Sequence, residues 1–195
     1  MPVTINGTTG VVTPGATIGS INGILKSSSG VVSQASVGTD YSQLTLATAQ
    51  TASGTAVDFT SIPSWVKRIT VMLSGASTNG NADFLLQLGN SGGIENTGYV
   101  STSITTDNTG SSTGSNSTSG FIWLTDGVLL TSGMFVISNV SGNIWTSFHQ
   151  GVIAPTNIVG GGGTKTLSST LTQLRITTVN GTDTFDAGTI NISYE

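Results

Sequence analysis

Nowhere in the 195 residues do apolar side chains recur at i, i+3, i+4 and i+7 between capping residues, so the chain has no amphipathic helix to build with. From about residue 52 onward, short apolar or alternating runs recur at roughly 8 to 15-residue spacing, separated by turn residues, the pattern of a sandwich or barrel. The expected fold is all-β: an extended N-terminal segment, residues 1–50, followed by an antiparallel β-sandwich, jelly-roll-like, over residues 51–195.

The strands can be read one by one. Ile69, Val71 and Leu73 alternate with Arg68, Thr70 and Met72 behind Pro63, which blocks any earlier ladder. Phe84–Leu88, Tyr99–Ile104, Phe121–Leu124, Met134–Val140 and Ile144–Val152 follow as further strands. Near the end, Val179-Asn180-Gly181-Thr182 has the Asn-Gly pair of a type I′ hairpin turn, and Ile190, Ile192 and Tyr194 alternate up to the last residue. Three loops are expected: Asp107–Ser119, rich in Ser, Thr, Gly and Asn; the tight turn Ser141–Asn143; and Val159–Thr164, where Gly160–Gly163 reads as a flexible linker between strands. A domain of about 145 residues buries roughly 68% of its unfolded surface, enough for its own core.

Residues 1–50 differ, with no Trp or Phe and one Tyr. Between Ser20 and Tyr41 the small apolar residues Ile21, Ile24, Leu25, Val31, Val32, Ala35 and Val37 are spread among Gly and Ser too sparsely to make a core. Something else must cover them, so Ile21, Ile24, Leu25, Val31, Val32 and Tyr41 are candidate assembly residues. Ile5-Asn6-Gly7 recurs as Ile21-Asn22-Gly23, each ahead of a Val-Val pair, a weak internal repeat.

Composition narrows the function classes. Only 7% of residues are charged, the net charge is −4, Cys is absent, and Ser and Thr together make up about 30% of the chain. A polar surface of hydroxyls and amides suits a rigid β-structural protein. Five scattered cations do not form the dense footprint that nucleic acid or an anionic membrane requires, so neither is an expected partner. Membrane insertion is not expected either, since no run of about 18 apolar residues occurs. Met1–Asn6 shows no basic or apolar export region, which a secreted adhesin or pilin would need, so synthesis in a cytosol is expected.

Chemistry has few carriers. His149 is the only His; with no second His, no Cys and no acid near it in sequence, it is expected at a sheet surface or subunit interface. Glycoside cleavage needs two carboxylates at a controlled separation, and Asp83 with Glu95, or Asp183 with Asp186, beside turns, do not single out a pair. The Gly160–Gly163 run lacks the Lys-Ser/Thr and helix of a phosphate loop. No catalytic, metal or cofactor site is expected, and the chain reads as a non-enzyme. Trp65, Trp123 and Trp145 read first as core or subunit packing. Sugar recognition favours exposed aromatic faces flanked by hydroxyl and amide groups, and Trp145, just beyond the turn at Asn143, is the Trp best placed for it. The candidate receptor contacts are Asn108, Ser112 and Asn116 in the long polar loop, with Asn143 and Trp145.

Two strings carry a family resemblance. Gly23-Ile-Leu-Lys26, Gly30-Val-Val-Ser-Gln-Ala35 and Gly38-Thr-Asp-Tyr41 resemble a segment found in bacteriophage tail-fibre and related virion appendage proteins, just ahead of a distal β-rich domain. Asp58–Gly75, containing Ser-Ile-Pro-Ser-Trp-Val-Lys-Arg-Ile-Thr-Val-Met, is similar to a distal domain of such proteins. The resemblance implies a virion protein, usually a homotrimer, and supplies no binding residues. The chain lacks the long shaft of a full tail fibre. The expectation is a short tail fibre or fibre tip, attached to other virion proteins by residues 1–50, with the sandwich binding a host surface glycan or protein. The alternative is a head fibre, capsid decoration or baseplate protein with a purely structural role.

Overall fold

The structure, a computed structural model, describes residues 23–29 and 31–195 and divides the chain into two compact units, Met1–Tyr41 and Ser42–Glu195. No helix occurs among the described residues.

In the first unit, β1 (Leu25–Ser28) and β2 (Val31–Gln34) form an antiparallel hairpin with Leu25 opposite Gln34 and Ser28 opposite Val31. Ala35 is buried, and its N–H donates to the Ile24 carbonyl. Beyond it the chain closes on itself: Asp40 accepts from the Ser36 N–H at 2.8 Å and pairs with Lys26 at 2.8 Å. The Lys26 hydrogen bond, with that from Ser36, holds the Asp40 carboxyl below its ordinary range. Gly38, at φ 79, lets its N–H reach the Tyr41 carbonyl, a backbone that a side chain would strain. The Gly-Ile-Leu-Lys and Gly-Thr-Asp-Tyr motifs are thus two halves of one clasp. The stretch expected to be extended is a hairpin, yet Ile24, Leu25, Val31 and Val32 remain exposed on it. Ile21 lies outside the described residues, as does the Ile-Asn-Gly repeat except Gly23 and the Val31-Val32 pair.

The second unit runs through β3 (Thr45–Leu46), β4 (Gln50–Thr51), β5 (Ala56–Phe59), β6 (Arg68–Thr78), β7 (Phe84–Asn90), β8 (Gly93–Ile94) and β9 (Tyr99–Thr106). It continues with β10 (Ser112–Ser117), β11 (Phe121–Trp123), β12 (Thr131–Ser141), β13 (Ile144–Ile153), β14 (Asn157–Thr166), β15 (Gln173–Thr178) and β16 (Phe185–Tyr194). All pair antiparallel. One sheet has the order β10-β9-β14-β13-β12-β6-β16-β3, with β4 also on β16. The other has the order β11-β7-β15-β5, with β8 on β7. Their inner faces share one core: Ile69, Val71, Phe135, Ile137, Ile190 and Ile192 from the large sheet meet Phe84, Leu86, Leu88, Trp123, Leu174 and Ile176 from the small one. Each such side chain contributes about 1.5–3 kcal/mol on burial, so this layer dominates the energetics.

Four expectations change. First, β3 and β4 pair with β16, so this unit begins at Ser42 rather than near residue 51. Second, the polar stretch Asp107–Ser119 is a loop only at its tip; Ser112–Ser117 forms edge strand β10 on β9, because Ser, Thr and Gly still supply full backbone pairing. Third, Gly160–Gly163 is no linker. It lies within β14, hydrogen-bonded to β13 on one side and β9 on the other.

Fourth, Asn180-Gly181 does not join two paired strands. Only Gly181 has positive φ, at 67, whereas a type I′ turn needs it at both positions. The Asn180 side chain instead accepts from the Thr182 and Asp183 N–H groups, and the chain crosses from the small sheet to the large one. Phe185 then packs on Phe84, with ring centroids 5.3 Å apart.

Candidate functional site

β13 alternates strictly. Trp145, Ser147 and His149 point into the core, while Ile144, Thr146, Phe148, Gln150 and Val152 stand exposed on the outer face of the large sheet. On β9, Tyr99, Ser101 and Ser103 point in and Val100, Thr102 and Ile104 point out. Between the two runs β14, whose outward positions at its centre are Gly160 and Gly162. With no side chains there, β14 is the floor of a trough, and β9 and β13 are its walls, two strand spacings or roughly 9–10 Å apart.

The register divides the trough into four rungs. Along it, Val100 faces Thr146 across Thr164, Thr102 faces Phe148 across Gly162, Ile104 faces Gln150 across Gly160, and Thr106 faces Val152 across Ile158. Every rung sets one apolar wall residue against one hydrogen-bonding wall residue, and no rung contains an ionisable side chain. Four rungs span about 20 Å of strand. Beside the trough, a hollow of about 400 Å³ runs across β9 from β10 to the edge of Gly162, bordered by Val100, Thr102 and Asn116 and by no residue of β13. The one over Gly160, bordered by Ile104, Phe148, Gln150 and Ile158, has about 340 Å³. Phe148 is 60% exposed, an aromatic face open to solvent.

The four glycines do not serve one purpose. A Cβ on Gly161 would strike the Thr102 carbonyl and the His149 ring, and one on Gly163 would strike the Val100 carbonyl and Phe121, so core packing excludes side chains at both. A Cβ on Gly162 would collide with the Ser147 carbonyl at 2.6 Å. At Gly160 a Cβ would meet only the His149 carbonyl oxygen, at 3.7 Å, an ordinary contact. Packing therefore leaves Gly160 free to be larger, and the trough floor there is open without a steric requirement.

Of the sequence-derived contacts, Asn116 lies opposite Thr102 and Ser112 opposite Thr106, on β10 beside the trough. The Ser112 and Thr106 hydroxyls are hydrogen-bonded to each other at 2.9 Å. Asn108 is exposed at the β9–β10 turn, which Asp107 organises by accepting from the Thr109 and Ser111 N–H groups. Asn143 sits at the opposite end of the sheet, in the β12–β13 turn, where its carbonyl accepts from the Leu167 N–H. Trp145 is only 4% exposed and belongs to the core, so it offers no face to a ligand. Trp145 falls on the covered face of β13, because alternation separates the two faces without saying which one is covered. For the same reason the sequence does not single out Phe148, Thr102, Ile104 and Gln150 as exposed together, and Gly160 and Gly162 read as a linker because a glycine run resembles one.

His149 is likewise in the core rather than at a surface. Its ring stacks on Trp123 at 5.0 Å and leans on Phe135 at 5.0 Å, and Nε2 is 2.9 Å from the Ser103 hydroxyl. Burial pushes its pKa down to about 4. The Ser-His contact resembles a nucleophile and base, but Nδ1 has no partner among the described residues and both side chains are sealed from solvent.

The carboxylates that sequence paired are each engaged elsewhere. Glu95 binds the buried Lys165 ammonium at 2.6 Å and accepts from Ser168, and Asp83 accepts from the Thr125 N–H. Asp183 accepts from the Ala82 N–H and Asp186 from the Ser77 hydroxyl. No cluster of three His, Asp or Glu side chains suited to a metal occurs among the described residues.

No protein-family model, no curated protein and no solved structure matches this chain.

Proposed function

We propose that the chain is a non-enzymatic appendage protein of a bacteriophage particle, whose sandwich binds a host surface receptor through the outer face of its large sheet. The observation that carries the reading is the uncharged, glycine-floored trough with Phe148 exposed on its wall. A concave surface that sets exposed apolar side chains beside a few hydrogen-bonding groups has the make-up of a ligand site. The virion setting rests on the resemblance of Gly23–Tyr41 and Asp58–Gly75 to tail-fibre segments. The hairpin residues Ile24, Leu25, Val31 and Val32, 40–65% exposed on one copy, support assembly as a homotrimer that covers them and attaches to other virion proteins. Three copies also multiply weak sites into avid binding.

The test is saturable binding. Labelled full-length chain applied to a panel of intact bacterial isolates is expected to decorate a subset of them, competed by unlabelled chain. Absence of saturable labelling from every isolate, together with firm association of the sandwich face with other virion proteins, would favour the head-fibre or baseplate role instead.

A further inference from the structure

Resting on the reading of the outer sheet face as the binding face, we infer that the trough along β14 takes an uncharged linear glycan, with a sugar ring laid on Phe148. Two observations point to this ligand class, and a third supplies the variant that tests it. The first is charge: no rung has an ionisable side chain, so a sialylated, phosphorylated or uronate polymer would find no counter-charge for the water it surrenders.

The second is the composition of the rungs. A pyranose is amphipathic, with C–H faces and a rim of hydroxyls, and each rung offers one apolar surface and one side-chain hydroxyl or amide. Thr102 lies across from Phe148 and Gln150 across from Ile104, so a ring stacked on either apolar wall can hydrogen-bond to the other. Asn116, behind Thr102, extends the polar side. A second copy of the sheet would be a poor occupant, because a self-docked interface needs an apolar centre and would bury Thr102, Thr146 and Gln150 without fitted partners. The floor is free of side chains over its two central rungs and bounded by exposed Thr164 and Ile158, so a trough about one chain wide has room for roughly two rings of a linear chain.

The third is the vacancy at Gly160. A Cβ there meets only the His149 carbonyl at an ordinary distance, and the backbone is not in the left-handed region, so neither close packing of a Cβ nor φ calls for glycine. Gly160→Val therefore fills the trough from its floor without disturbing the core, and Phe148→Ala removes the stacking surface at an exposed position.

The test is affinity electrophoresis of the full chain through native gels containing neutral linear polysaccharides (α-glucan, β-glucan, dextran, galactomannan) or anionic ones (hyaluronate, alginate). Wild-type chain is expected to be retarded by at least one neutral polymer, with retardation insensitive to added salt. Gly160→Val and Phe148→Ala should each weaken it about tenfold or more. Retardation by anionic polymers alone, retardation by none of the panel, or undiminished retardation of Gly160→Val overturns the assignment. So does a concentration-dependent dimer that Gly160→Val abolishes. If no polymer binds yet wild-type chain still labels bacteria and Gly160→Val does not, the glycan fails while the receptor-binding face stands; if cells are not labelled either, both fail.

Discussion

At the scale of single residues, the two sides of β14 make opposite predictions for similar substitutions. Gly161→Ala forces a methyl into the Thr102 carbonyl and the His149 ring, and overpacking of that kind costs about 1–3 kcal/mol. Gly160→Val adds a strand-favouring side chain to open space and should leave stability unchanged or raise it by up to about 1 kcal/mol. Thermal unfolding measured side by side checks the pair, with about 2–4 °C expected per kcal/mol. Equal destabilisation by both would contradict the division of the glycine run into core-facing and trough-facing positions.

His149 gives a pH prediction. Its folded pKa, about 4, lies below the ordinary value near 6.5, so between those limits the unfolded chain holds the proton and the folded chain does not. The full stability is therefore present above about pH 6.5. Stability should fall by roughly 3 kcal/mol as pH drops through that window to 4. The ring faces Trp123, Phe135 and Ser103, with no carboxylate of the described residues hydrogen-bonded to it to offset the loss. Urea titrations at pH 7 and pH 4.5 should show a larger drop for wild type than for His149→Phe, which has no proton to take up. Parallel losses in the two proteins would mean that other groups set the acid sensitivity.

At the scale of elements, the sequence was most legible where side chains are large. The alternation of Ile69, Val71 and Leu73, the run Phe84–Leu88 and the β12–β13 turn appear as read. It was least legible where side chains are small. The glycines of β14 carry no hydropathy signal, and the requirement that kept Gly161 and Gly163 small lies in His149, Phe121 and strand β9, distant in sequence. Edge strand β10 looks like a loop for a similar reason, since Ser, Thr and Gly pair through the backbone alone. The Asn-Gly turn signal was correct as a turn and misleading as a hairpin, because the partner of β16 is chosen by Phe185 and the core rather than by the turn.

For the whole molecule, the fold class followed from periodicity, but the candidate site did not. It appears only when β9, β14 and β13 are set side by side, because Thr102, Gly162 and Phe148 are far apart in the chain and share one rung. The hairpin at Leu25–Gln34 carries a separate prediction. A homotrimer of the 19.7 kDa chain should scatter light as about 59 kDa, and Val31→Asp with Val32→Asp should lower that mass toward one copy by placing charge on the covered apolar surface. A wild-type monomer would remove the trimer while leaving the sandwich and its trough unaffected.

The proposed function requires that the molecule binds with the outer face of its large sheet, at the trough. The most direct measurement of this is saturable labelling of a susceptible bacterial isolate by three folded chains: wild type, Gly160→Val in the trough floor, and Asn108→Ala at the exposed β9–β10 turn. The account predicts that Asn108→Ala labels as wild type does and that Gly160→Val loses labelling. Loss with Asn108→Ala and full retention with Gly160→Val would contradict it.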